Sequence, residues 1–125
     1  MNRTRIRQLA GIGLISAVFG FATSGSTQDM VKLRLAGRYY AEPATVNISV
    51  SVQPDDSNRV LRIEADGETF FRSADVPLEG ASAPKFHAIA FKNVPAGEYV
   101  VRAQLLSKGD VRAVSQEMLT VISNR

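Results

Sequence analysis

Asn93-Val94-Pro95-Ala96-Gly97-Glu98-Tyr99-Val100-Val101-Arg102-Ala103-Gln104-Leu105-Leu106 states a turn, a strand and the phase of that strand in one continuous stretch. Pro95 and Gly97 punctuate a tight turn. From Tyr99 the chain alternates: Tyr99, Val101, Ala103 and Leu105 point one way, and Val100, Arg102, Gln104 and Leu106 point the other. That is the period of a strand with one buried face.

Working outward, the same period recurs. Val31, Leu33 and Leu35 alternate with Lys32 and Arg34. Val46, Ile48, Val50 and Val52 alternate with Asn47, Ser49 and Ser51, and Leu61, Ile63 and Ala65 with Arg62 and Glu64. Between the first two runs, Tyr39 and Tyr40 sit in a connection bracketed by Gly37 and Pro43. Pro54 to Asn58 closes the second strand through residues that bond their own backbone. Asp66-Gly67 reads as a hairpin turn leading into a strand at Glu68 to Ser73. Ala74 to Pro84, with Pro77, Gly80 and Pro84, reads as a loop holding at most a short edge strand.

In Lys85 to Lys92 two phases compete, Phe86, Ala88 and Ala90 against Ile89 and Phe91, and buried area favours the bulkier pair inside. Ser107-Lys108-Gly109-Asp110 is a turn with glycine where positive φ is expected, leading to a last strand at Val111 to Ile122. Ser115, Gln116 and Glu117 interrupt its pattern, which predicts a β-bulge there. Short strands, turn signals between them and no helical period predict an all-β domain, a single antiparallel β-sandwich of about seven strands.

Pro95-Ala96-Gly97-Glu98-Tyr99-Val100-Val101 resembles the tyrosine corner of immunoglobulin-like and fibronectin type III-like sandwiches. In that corner a Tyr opening the sixth strand bonds back to the backbone just upstream, so the resemblance assigns Tyr99, Gly97 and Pro95 a structural role. Val101 stands where an immunoglobulin domain would carry a cysteine, and the chain has no Trp. The likeness is therefore to disulfide-free bacterial immunoglobulin-like modules. Transthyretin-like and carboxypeptidase-regulatory-like domains carry a similar Pro-x-Gly-x-Tyr turn, so that topology stays open as an alternative.

The chain opens differently. Arg3, Arg5 and Arg7 precede an apolar run from Leu9 to Ala22, and small residues follow to about Ser26, the order of parts in a secretory signal. As a helix the run would extend about 21 Å, short of the ~30 Å hydrocarbon core, so a cleaved signal rather than an anchor is expected, with no stable membrane span afterwards. Residues 27–125 then form one domain, periplasmic or secreted. There is no cysteine, which excludes a lipoprotein anchor, disulfides and thiolate chemistry. Three of the fifteen basic residues and none of the twelve acidic ones lie in the signal, so the remainder carries twelve of each sign and is formally neutral. That gives no reason to expect a nucleic-acid partner.

The residues for catalysis do not assemble in the sequence. His87 is the only histidine, with no nucleophile elbow beside it and too few further ligands for zinc. Asp55-Asp56-Ser57-Asn58 reads as a turn rather than a calcium site, and Asp75 and Glu79 as solvated carboxylates. The expectation is no catalytic residue, no metal and no cofactor. Tyr39, Tyr40 and Phe70 are the candidate ligand-facing residues, because exposed rings can stack on sugars. One of Phe70 and Phe71 must face outward, since neighbours in a strand point to opposite faces. These readings favour a non-catalytic protein-interaction module binding another envelope or extracellular protein, with glycan binding through exposed aromatics as the alternative.

Overall fold

Alternation in sequence becomes alternation in burial. In the computed structural model, which describes residues 30–124, Val46, Ile48, Val50 and Val52 are buried along β3 (Ala44–Val52), while Asn47 and Ser49 are exposed. The expected signal at residues 1–26 lies outside the described residues. In chain order the other strands are β1 (Val31–Leu35), β2 (Tyr39–Ala41), β4 (Val60–Gly67), β5 (Phe71–Pro77), β6 (Phe86–Val94), β7 (Gly97–Ser107) and β8 (Asp110–Ile122), with a 3-10 turn at Gly80–Ser82 between β5 and β6.

Two sheets result, one ordered β1-β3-β6 and the other β2-β8-β7-β4-β5. Their inward faces share one core. Val31 and Leu33 of β1, the valines and Ile48 of β3 and Phe91 of β6 meet Leu61 and Ile63 of β4, Tyr99, Val101 and Leu105 of β7, and Leu119 and Val121 of β8. Without disulfides, that buried apolar area is the main force closing the fold.

The sheets are also stitched along both open sides. On one side the Leu33 amide of β1 donates to Ser115 Oγ of β8 at 3.1 Å, which draws the two sheets together. On the other, Arg72 Nη1 of β5 donates to the Lys92 carbonyl of β6.

Several expectations change. There are eight strands, because Tyr39 and Tyr40 belong to β2, which pairs parallel with β8 through Tyr39–Thr120, Tyr40–Val121 and Ala41–Ile122. All other pairings are antiparallel. The fifth strand begins at Phe71 rather than Glu68 and runs to Pro77, paired with β4 along its whole length, so the short edge strand allowed within Ala74 to Pro84 is Ala74 to Pro77, the end of this strand. Pro77 is tolerated because it ends an edge.

Gly67 is the last residue of β4 rather than a turn residue, and its amide donates to the Phe70 carbonyl at 2.9 Å. The irregularity in the β7–β8 pairing falls opposite Leu105 and Leu106, between Val111 and Ala113, not at Ser115 to Glu117. Ser115 and Glu117 keep the inward phase because each has a polar partner at the rim, the Leu33 amide and the Arg38 guanidinium. In β6 the bulkier phase faces the core: Phe91 is buried and Ile89 packs against it, while Phe86, Ala88 and Ala90 are exposed.

Candidate functional site

The inward phases of β1, β3 and β6 leave a second set of side chains on the solvent face of the three-stranded sheet. Register places Lys32 beside Ser51 and Ser51 beside Phe86; one step along, Arg34 lies beside Ser49 and Ser49 beside Ala88. These residues, with Lys85, line a shallow groove of about 460 Å³. Its floor is made of small side chains, and its flanks are long cations on β1 and an aromatic ring on β6. Phe86 is 72% exposed, and the Lys85 ammonium stands 5.6 Å from the centre of its ring. An exposed phenylalanine beside unpaired charge departs from what packing alone would favour.

The electrostatics of the two outer faces differ. On the five-stranded sheet several charges are paired: Arg62 donates twice to Asp75 at 2.8 and 3.0 Å, and Arg102 lies 3.1 Å from Asp66 and 3.5 Å from Glu64. The Arg62 guanidinium holds the Asp75 carboxyl below its ordinary range, and Asp75 in turn raises Arg62. On the three-stranded sheet Lys32, Arg34 and Lys92 occupy the outer phase, joined by Lys85 at its border. The strands β1, β3 and β6 contain no Asp or Glu, and none of these four cations has an ion-pair partner among the described residues. A chain that is neutral after residue 26 is thus strongly polarised across its sheets.

The residues expected to face a ligand separate in space. Tyr39 is 73% exposed at the edge of the other sheet. Tyr40 turns inward and packs against the core, and its hydroxyl is buried without a hydrogen-bond partner among the described residues. Phe70 is partly buried, edge-on to Tyr99 with ring centres 6.0 Å apart and the Arg72 guanidinium 5.0 Å above it. Phe71 is the outward member of that pair. The three candidates therefore do not share one surface, and the groove residues Lys32, Arg34, Lys85 and Phe86 were not among them. The sequence signal for them is the outward phase of β1 together with the exposed phase of β6.

Tyr99 is 2% exposed, and its hydroxyl donates to the Pro95 carbonyl at 2.7 Å, the upstream bond that a tyrosine corner implies. Burial, with the Glu42 carboxylate adding to it, pushes this phenol above its ordinary value. Gly97 has φ +154°, in the region that disfavours side chains, and a Cβ there would touch the same ring. His87 Nε2 lies 2.9 Å from the Pro84 carbonyl, an acceptor only, so that nitrogen carries the proton and donates. Asp55 Oδ1 accepts the Ser57 amide at 2.8 Å, the local bond of an Asx turn, and this bond holds its carboxyl below the usual value. Among the described residues there is no cluster of three or more His, Cys, Asp or Glu placed to hold a metal, and no helix long and apolar enough to cross a membrane.

No protein-family model matches the chain, and no curated protein does. Solved structures resemble it in fold. A superoxide reductase (neelaredoxin) from Ignicoccus hospitalis superposes with a TM-score of 0.50 at 13% identity, covering 74% of this chain and 80% of the reductase. A CARDB domain from Pyrococcus furiosus, solved in complex with di-metal ions, gives 0.48 at 10% identity over 76% of this chain and 93% of that domain. At such identities the first likeness concerns the path of the backbone and nothing of its chemistry.

Proposed function

We propose that this chain is a non-catalytic binding module of the immunoglobulin-like sandwich class, exported from the cytoplasm by residues 1–26, which engages an envelope or extracellular partner through the outer face of β1-β3-β6. The strand order, the parallel β2–β8 pairing and the Tyr99 corner support the class. One observation carries the function: Lys32, Arg34 and Lys85, without ion-pair partners among the described residues, surround a floor of small side chains together with exposed Phe86, while on the opposite sheet Arg62 and Arg102 are each paired with carboxylates. Holding like charges together without counter-charges disfavours the isolated domain, and a partner of opposite charge relieves it. In keeping with a non-catalytic role, His87 is committed to a backbone carbonyl, and Asp55 and Asp75 serve a turn and an ion pair.

The test uses protein expressed from the full chain and recovered from outside the cytoplasm. N-terminal sequencing should begin near residue 27. Crosslinked capture from the source envelope should yield material with the parent protein and lose it with Lys32→Glu/Arg34→Glu. Equal capture by both would remove the face from consideration.

A further inference from the structure

We infer that the ligand of this face is an acidic polysaccharide, a chain of sugar rings carrying carboxylates or sulfates; the inference rests on the binding-face reading above. The groove supplies three chemistries on one surface. Lys32 and Arg34 of β1 and Lys85 beside β6 offer charge-assisted donors, with the Arg34 guanidinium suited to a two-pronged carboxylate or sulfate contact. Ser49 and Ser51 present hydroxyls along the floor, and Asn47 continues the same exposed phase, matching the hydroxyls of a sugar. Phe86 presents a largely exposed ring, apolar enough to pack on the C–H face of a pyranose while Lys85 meets its acidic group.

The layout separates this ligand from other polyanions. The cations on β1 and the ring on β6 stand on opposite sides of β3, two strand spacings or about 10 Å apart, so the ligand lies across the sheet. An acidic peptide added as an extra strand would run along one edge of the sheet and meet either Lys32 and Arg34 at β1 or Phe86 at β6, not both. Single-stranded nucleic acid stacks successive bases on several rings, and this face offers Phe86 alone among its outer-phase residues. The floor of Ser49, Ser51 and Ala88 carries only small side chains, which leaves room for a sugar ring between the β1 cations and Phe86.

The protein expressed from the full chain would be titrated against polygalacturonate and heparin, a carboxylated and a sulfated chain. Methyl-esterified polygalacturonate, polyglutamate and a single-stranded oligonucleotide serve as comparisons. At least one acidic polysaccharide should bind, with affinity falling as salt rises. Binding should weaken roughly tenfold in Arg34→Gln and again in Phe86→Ala, each a loss of one good contact. Tyr39→Ala, on the other sheet, should leave it unchanged, and each variant should keep the parental thermal midpoint. If polygalacturonate binds, its esterified form should not. Polyglutamate or the oligonucleotide binding as tightly, or Phe86→Ala having no effect, would overturn the polysaccharide assignment. The binding-face reading survives that result if Arg34→Gln still weakens whatever polyanion is bound. Binding that is insensitive to Arg34→Gln sinks both, whereas absence of binding to every probe overturns the polysaccharide assignment and leaves the face to the envelope-capture test.

Discussion

The ring of Tyr99 lies against Gly67 across the β4–β7 pairing, so close that a Cβ on Gly67 would fall 2.6 Å from Tyr99 Cε1 and 2.7 Å from Cδ1. Gly67 is not among the positive-φ residues, so its lack of a side chain serves this approach rather than a turn. Gly67→Ala must displace a ring that is held by Phe70 at its edge and by the Pro95 carbonyl at its hydroxyl. Overpacking of this kind costs about 1–3 kcal/mol, to be read from the urea midpoint. A midpoint equal to the parent's would mean that the ring has another place to go.

Removing a hydroxyl should have opposite effects at two tyrosines. Tyr99→Phe keeps the ring and deletes the 2.7 Å bond to Pro95, so stability should fall by about 0.5–1.5 kcal/mol. Tyr40 has a buried hydroxyl without a partner among the described residues, so Tyr40→Phe should be neutral or stabilising. The Tyr99 phenol also sets an alkaline limb. Its folded pKa is raised, so its contribution is complete below the unfolded value of about 10 and disappears as pH rises through the folded one. Tyr99→Phe should flatten stability against pH in that range. Matching losses in both variants, or an unchanged alkaline limb, would contradict this account.

At the acid end the sign reverses. Asp55 is depressed chiefly by the Ser57 amide and Asp75 chiefly by Arg62. A carboxyl with a lowered folded pKa stabilises the fold above the unfolded value of about 3.9 and ceases to do so as pH falls through the folded one. Both side chains are in wide contact with solvent, so each effect is small and screened by salt. Denaturation midpoints of Asp55→Asn/Asp75→Asn should therefore vary less between pH 5 and pH 2 than those of the parent, and a parallel decline in both would count against these two groups.

How much of this could be read from the chain follows from the range of the interactions. The alternation in β3 and β7 reports burial within a strand, and both strands appear where the pattern places them. β2 could not be read because three residues carry no period, and its pairing is with β8, about eighty positions away. β5 was displaced because Asp66-Gly67 imitates a hairpin turn, whereas the glycine answers to Tyr99, a residue distant in sequence. The groove was invisible for the same reason. Lys32 and Arg34 are spaced as an ordinary solvated phase, and only the β1–β3–β6 register sets them across from Phe86.

Asn58 gives the sharpest stability test. It is 1% exposed, the one buried polar residue among those described, and each of its polar groups is engaged. Its Nδ2 donates to the Gln53 carbonyl at 3.0 Å, and its Oδ1 accepts from Arg112 Nη1 of β8 at 2.6 Å. Its amide donates to the Asp55 carbonyl, and its own carbonyl accepts from the Gly80 amide and from Arg59 Nη1. One side chain thus ties the β3–β4 connection to β8, and its backbone ties that connection to the 3-10 turn. Asn58→Ala removes both side-chain bonds and leaves the Gln53 carbonyl and the Arg112 guanidinium to find other partners, a loss of about 2–4 kcal/mol. Asn58→Asp preserves the acceptor for Arg112 but loses the donor to Gln53 and buries a charge, so it should fall between Ala and the parent only if the Arg112 contact outweighs that burial. Thermal denaturation of both variants decides the point: Asn58→Ala melting with the parent would mean that the connection is held by its backbone bonds alone.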